Sequence, residues 1–244
     1  MIDQVLIQVD DNGDFSNVAL CAASIGFKAR GRDVTRLTSQ QIEATQASPD
    51  CLVFGGVPVV RDYLARLGCP PPELDYPTSL HAFLGRKIEV TSLGDIRRRY
   101  NEPGPVVFVK PIQQKLFHGQ EVSRFRDLIP TSHLDSTTPV YCVEHVEFIS
   151  EWRVYCRDDQ AVGIGHYRGD PLLFPDRETI QRALRAFAEE EGRPRACALD
   201  FGVIRTGATL LVEANDMFAL GSYGLSPSLY SDLIEYRWEQ LVSS

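Results

Sequence analysis

"ACALDFGVIRTGATLLVEAND" (196–216) decides how this chain is read. Two apolar runs flank the turn signal at Gly207, so the stretch reads as two strands joined by a tight turn. Each run carries chemistry that a buried strand rarely tolerates: Asp200 lies inside the first, and Glu213, Asn215 and Asp216 close the second. Side chains alternate along a strand, which puts Glu213 and Asn215 on one face and Ala214 and Asp216 on the other. Thirteen residues separate Asp200 from Glu213, so a hairpin can bring the two side by side. Three oxygen donors on one face suit Mg²⁺, a hard octahedral cation usually completed by water and phosphate oxygens. Solvated strand ends are the competing explanation, and on these residues alone the two are evenly matched.

Working outward, "VYCVEHVEFISEWRVYC" (140–156) is an apolar strand reaching Glu144, a crossover, and a second strand resuming at Glu151. Such a crossover can offer backbone C=O and N–H groups to a flat heterocycle, and a carboxylate beyond it can take a pair of ribose hydroxyls. Further upstream, "VVFVKPIQQKLFHG" (106–119) ends a β run at Lys110 and continues into a polar loop with Lys115, closed by Gly119. Two lysines there can hold phosphates as point charges.

The order of these pieces resembles the ATP-grasp superfamily. In the D-alanine–D-alanine ligases of that superfamily two hinge glutamates are seven residues apart, as are Glu144 and Glu151. Their metal aspartate and glutamate are thirteen apart with an asparagine two further on, as are Asp200, Glu213 and Asn215. "FVKP…K-x-F-x-G", "EWRVY" and "VEAND…YGL" look more specifically like the clade characterised by two lysines and one arginine, over residues 80 to 230.

The resemblance implies ATP and Mg²⁺ as cofactors and a role for each matched residue. Lys110 would contact the α- and β-phosphates, and Lys115 would reach the phosphates from a covering loop, 111–119. Backbone groups of Glu144, His145 and Val146 would bond the adenine edge, and Glu151 the ribose. Asp200, Glu213 and Asn215 would hold one or two Mg²⁺ ions. Arg153, two residues beyond Glu151 and on its face, would stabilise the transferring phosphoryl group, as lysines, arginines and metals do in phosphoryl transfer. Two departures stand out. The covering loop has only Gly119 where glycine-rich loops are common, and Ala198 stands where many ligases carry an arginine two residues before the metal aspartate. Arg153 or Arg168 would have to serve in its place.

The rest of the chain supplies the frame. "QVLIQVD" (4–10), "DVTRLT" and "CLVFGGV" read as strands and alternate with helices at "FSNVALCAASIGFKAR" and "VVRDYLARLG", the mark of a small parallel α/β layer. The proline-rich "CPPPELDYP" (69–77) reads as a linker. Beyond it follow a helix "LGDIRRRY", strands at "PVVFVKP", "PVYCVEHV", "SEWRVYCR" and "AVGIGHYR", a helix from Arg177 stopping at Gly192, and a terminal helix opening at Ser226-Pro227. The expected fold is therefore α+β: two ATP-grasp subdomains (76–142 and 143–244) clasping ATP, preceded by an α/β N-terminal domain (1–75). Arg86, Lys87, the "IRRR" run, "FGGVP", "GSYGL" and His118, His145 and His166 each have a plainer structural explanation. "GSYGL" (221–225) could also frame an acceptor pocket.

Composition sets the limits. A net charge of −8 with scattered Lys and Arg argues against nucleic acid as the partner. Six separated cysteines without a CxxC pair, no secretion signal and no long apolar run point to a reducing, cytoplasmic setting without a membrane span. The implied activity is ligation of a small-molecule or peptide carboxylate to an amine acceptor through an acyl phosphate. A kinase using the same nucleotide cleft, a non-catalytic ATP sensor and a metal-dependent phosphohydrolase are the alternatives. Oligomeric state is not legible in the sequence.

Overall fold

The N-terminal strand signals form a parallel sheet of order β2-β1-β3, from β1 (Gln4–Gln8), β2 (Asp33–Leu37) and β3 (Cys51–Phe54). Helices α1 (Val18–Ala29), α2 (Ser39–Ala44) and α3 (Val57–Arg66) connect and follow the strands. Asn17 caps α1 and Thr38 caps α2 through a capping box with Gln41, satisfying backbone N–H groups that would otherwise lack partners. The structure, a computed structural model, describes residues 2–243.

Two units are distinguished: the chain up to Phe83 together with Phe148 onward, and Leu84–Glu147. The smaller unit is an antiparallel sheet of order β4-β7-β5-β6, built from β4 (Ile88–Ser92), β5 (Val107–Pro111), β6 (Gln120–Val122) and β7 (Pro139–Glu144). Helix α4 (Leu93–Arg99) lays Leu93 and Ile96 against Val109, Val122, Val140 and Cys142. Alternation then places Phe108 and Lys110 on the opposite face of β5.

The larger unit adds an antiparallel sheet, β11-β10-β8-β9, from β8 (Phe148–Arg157), β9 (Gln160–Gly169), β10 (Ala196–Ile204) and β11 (Thr209–Asp216). Gly207, with φ +84°, makes the turn between β10 and β11, where a side chain would strain the backbone. Helix α5 (Arg177–Ala188) ends four residues before the expected stop at Gly192. Helix α6 (Pro227–Val242) begins at the Ser-Pro signal, Ser226 accepting from the Leu229 N–H.

Helix α6 does more than end the chain. Tyr230, Leu233, Ile234 and Trp238 share one core with Val5, Leu6, Phe27, Phe54 and Tyr63 of the N-terminal layer and with Tyr155 and Ala198 of the antiparallel sheet. Helices α1 and α6 touch at Gly26, where a Cβ would lie 1.8 Å from the Pro227 carbonyl oxygen. Buried Glu235 of α6 takes Arg30 at 2.9 Å and also Arg32, clamping the end of α1. Among the described residues no helix is long and apolar enough to cross a membrane.

The obstacle at Gly26 is backbone, which cannot rotate away. Gly26→Ala is therefore expected to cost about 1–3 kcal/mol despite alanine's better helix propensity. Urea denaturation monitored by circular dichroism measures it, and unchanged stability would show that α1 and α6 do not pack this closely.

Candidate active site

Register builds the site. β10 lies between β8 and β11, with Asp200 opposite Arg153 on one side and Glu213 on the other. Gly165 of β9 stands opposite Arg153, completing a row across all four strands. A second row on the same face holds Gly163, Tyr155, Ala198 and Asn215. The expected hairpin thus brings Asp200, Glu213 and Asn215 together.

Two bulges re-aim side chains here. The register of β10 with β11 shifts at Asp200/Phe201, leaving Val212 as the extra residue. Strict alternation would set Leu211 and Glu213 on one face; the bulge sends Leu211 into the core with Phe201 and keeps Glu213 beside Asp200. A second shift, between Glu151 and Trp152 of β8, makes Tyr167 of β9 the extra residue beside Arg168. Both then reach Glu151: the Tyr167 hydroxyl donates to Oε2 and Arg168 Nη1 to Oε1, each at 2.9 Å.

Arg153 grips Asp200 with a two-pronged fork, Nε to Oδ1 at 2.8 Å and Nη2 to Oδ2 at 2.7 Å. Asn215 Nδ2 donates to Asp200 Oδ2 at 3.2 Å and to Glu213 Oε1 at 3.3 Å. Asp200 is 2% exposed and Arg153 7%. Burial pushes the Asp200 carboxyl up to about 6; Arg153 opposes the rise, and Glu213 and Glu151 add to it. Burial also acts on Arg153, and the bonds to Asp200 overcome it and raise its pKa. Tyr167 is raised by burial and by the carboxylates of Asp200 and Glu151.

Asp216 turns to the other face, as alternation requires. There it meets Arg237 of α6 in a second buried fork, at 2.7 and 2.6 Å. The polar residues of "VEAND" therefore serve two purposes, one on each face of the sheet.

An aromatic border adjoins the row, and of it the sequence signals only the "GSYGL" segment. Tyr223, in the left-handed region at φ +36°, lies across β9, where a Gly165 Cβ would meet its carbonyl oxygen at 2.3 Å. Its ring centroid is 5.3 Å from that of Tyr167, and the Arg153 guanidinium carbon is 4.9 Å from the Tyr223 ring. The Tyr155 hydroxyl donates to the Gly221 carbonyl at 2.5 Å, and that of Tyr230 to the Leu220 carbonyl, pinning the start of this segment. Tyr155 is legible through its two-residue spacing from Arg153; Tyr167 is not, because a bulge breaks the period.

In the smaller unit Lys110 is buried at the end of β5, its ammonium 5.9 Å from the Tyr141 ring. Lys115 is exposed with φ +65°. A Cβ on Gly119 would meet Phe108 at 2.4 Å and the Lys110 Cβ at 3.2 Å, so the end of the loop lies directly on the lysine-bearing face of β5. Glu144 Oε2 accepts from the Lys87 N–H at 3.1 Å, His145 Nε2 lies 3.1 Å from Glu121, and Val146 is exposed in the segment after β7.

An oxygen-only set of two carboxylates and one amide fits a hard divalent cation, with water or phosphate completing the shell. Among the described residues no group of three His, Cys, Asp or Glu side chains is arranged to hold a metal, so the amide of Asn215 is integral to the set.

A family model for the ATP-grasp domain, family 2 of the clade named for one arginine and two lysines, matches residues 83–233. The chain belongs to this family. The ATP-grasp fold extends to solved structures of low identity. D-cycloserine synthetase DcsG is 13% identical with a TM-score of 0.58, over 98% of this chain and 99% of that one. An ATP-grasp RimK domain protein from Sphaerobacter thermophilus is 13% identical with a TM-score of 0.57, over 96% and 99%. The ATP-grasp ligase PsnB, solved with a minimal precursor, is 16% identical with a TM-score of 0.54, over 97% and 100%. No curated protein matches the chain.

The raised Asp200 pKa makes stability depend on pH. A carboxyl raised on folding favours the folded state most below its unfolded value near 3.8, and that contribution is lost as pH rises through about 6. The loss is about 2–3 kcal/mol. Asp200→Asn lacks this dependence, so the stability of the wild type relative to the variant is expected to fall from pH 4 to pH 7. Urea melts across that range measure it; a constant or rising difference would contradict the raised value.

Proposed function

We propose that this ATP-grasp protein is an ATP- and Mg²⁺-dependent ligase joining a carboxylate to an amine through an acyl phosphate. The observation that carries the reading is the row Arg153–Asp200–Glu213 with Asn215 bridging the two carboxylates. Family membership supports it, as do the relatives of the same fold: a synthetase, and a ligase solved with precursor peptide and AMPPNP and with Mg and ADP.

In this reading Asp200, Glu213 and Asn215 hold Mg²⁺, which when bound supplies positive charge to the phosphate oxygens. Lys110 contacts the α- and β-phosphates. Lys115 reaches the phosphates from segment 111–119, the proposed lid; its left-handed backbone and the close seat of Gly119 support a loop shaped for that task. Backbone groups of Glu144, His145 and Val146 face the adenine, and Glu151 the ribose. Arg168 and Tyr167 now hold both Glu151 oxygens, so ribose binding would share or displace those bonds. The divisions 1–75, 76–142 and 143–244 belong to the same proposal, as does a cytoplasmic setting.

A substrate carboxylate oxygen attacks the γ-phosphorus, the bond from that phosphorus to the β–γ bridging oxygen breaks, and ADP leaves. The amine nitrogen then attacks the acyl carbon, the carbon–oxygen bond to phosphate breaks, and the nitrogen loses a proton. No covalent protein nucleophile is required; positioning and fixed charge carry the catalysis. Phosphate released with product marks the ligase, and phosphate retained on the substrate would mark a kinase.

Two variants test the reading against a panel of amino acids and peptides, with ADP formation and product mass as readouts. Lys110→Met keeps the apolar stem and removes the charge, so the KM for ATP is expected to rise about 10-fold to 100-fold. Glu213→Ala is expected to lower Mg²⁺-dependent ADP formation by about 100-fold or more while leaving the melting curve close to wild type. Normal turnover in Glu213→Ala would remove the metal assignment.

A further inference from the structure

Asp200 is the most enclosed of the three proposed metal donors, and a cation grips both of its oxygens. An ionised carboxylate has about four lone-pair positions. Arg153 takes one on each oxygen and Asn215 takes another on Oδ2, which leaves a single position on a side chain only 2% exposed. A magnesium ion sheds its water reluctantly and requires near-octahedral geometry. It cannot reach that remaining position without displacing a neighbour.

Geometry identifies the neighbour that can move. Asp200 is fixed in the central strand β10, between β8 and β11. Arg153 projects from β8 on a long side chain, and two aromatic faces border its guanidinium, Tyr223 at 4.9 Å and Tyr167 at 5.8 Å. Tyr223 is 45% exposed, so this border opens toward solvent. A guanidinium leaving the carboxylate can slide along π faces that favour a cation and avoid an unpaired, buried charge.

Resting on the metal assignment above, we propose that Arg153 is an exchangeable counter-ion. In the metal-free protein it neutralises Asp200; divalent cation loading displaces it onto the Tyr167–Tyr223 border, where its freed N–H groups face a phosphoryl oxygen. One arginine thus does two things in sequence. It prevents the cost of a bare buried carboxylate, and it becomes a phosphoryl ligand only after the cation is in place. Tyr223 is a positioning residue in this scheme, acting through Arg153.

The test follows Mn²⁺ binding to the full chain by electron paramagnetic resonance of the free ion, without nucleotide and with a non-hydrolysable ATP analogue. Arg153→Met removes the competitor, so nucleotide-free protein is expected to bind Mn²⁺ about tenfold or more tightly than wild type, and its melting temperature is expected to become Mn²⁺-dependent. Should Arg153→Met fail to fold without metal, Arg153→Lys keeps the charge but cannot form the fork, and is expected to bind Mn²⁺ with intermediate affinity. Tyr223→Ala removes the aromatic landing surface and is expected to weaken Mn²⁺ binding, with recovery in Tyr223→Phe. Equal or weaker Mn²⁺ affinity in both arginine variants overturns the exchange and leaves the metal assignment standing. Absence of Mn²⁺ binding in every form, with and without the analogue, overturns the metal assignment itself and the exchange with it.

Discussion

Placing an ionisable carboxylate in the middle of a fully enclosed strand is the constraint to which the rest of the antiparallel sheet responds. Asp200 belongs to β10, where every residue from Ala196 to Val203 is buried. An isolated carboxylate there would be prohibitively costly. The neighbouring strands each contribute to offsetting that cost: β8 aligns Arg153 for a two-pronged bond, and β11 provides the Asn215 amide. Replacing such a pair with apolar residues is often neutral or stabilising, so its presence is better explained by chemistry than by stability. The chain contains a useful comparison. Asp216 and Arg237 form an equally buried fork on the opposite face, but Arg237 is further tied to Gln240 within its own helix and is only 2% exposed. That pair locks α6 to the sheet. The Asp200 pair is bordered by the half-buried Glu213 and Asn215 and by Tyr223, where a ligand can approach.

The hairpin is legible because its signals are local. Gly207 marks the turn, the thirteen-residue interval sets the pairing, and Arg153 falls two residues from Glu151 on an alternating strand. Residues that the sequence conceals are those placed by a break in period or by distant packing. The bulges at Val212 and Tyr167 alter which side chains share a face, and no composition rule announces them. The six-residue α2 and three-residue β6 are too short to display a hydrophobic period. The sequence assigns Asn215 only to coordination of a cation, whereas in the metal-free sheet its amide joins the two carboxylates.

Glycines on the site face explain how a chain segment can lie so close to a strand. Gly163 and Gly165 stand opposite Tyr155 and Arg153, and a Cβ on either would come 2.3 Å from an atom of the 223–225 segment. Gly202, opposite Glu151 on β10, is crowded in the same way by the Phe148 ring. Large side chains at these positions would lift the segment from the sheet and separate Tyr223 from Arg153. The face is thus built from an alternation of charged residues with residues of little or no side chain, and the aromatic border fills the space that the small ones leave.

The N-terminal layer bears on this site through α6. Phe54 of β3 packs edge-on against Tyr230, with ring centroids 5.8 Å apart, and the Tyr230 hydroxyl holds the Leu220 carbonyl where the 220–225 segment begins. Further along the helix, Trp238 lies beside Tyr63 and Arg237 holds the end of β11 through Asp216. Helix α6 therefore joins the parallel core to both flanks of the candidate site: the strand that ends in Glu213 and Asn215, and the segment that presents Tyr223. Loss of packing in the N-terminal layer would be transmitted as displacement of those two elements. A small parallel sheet that supplies none of the candidate metal or phosphate ligands can in this way determine how accurately Tyr223, Arg153 and Glu213 are held relative to one another.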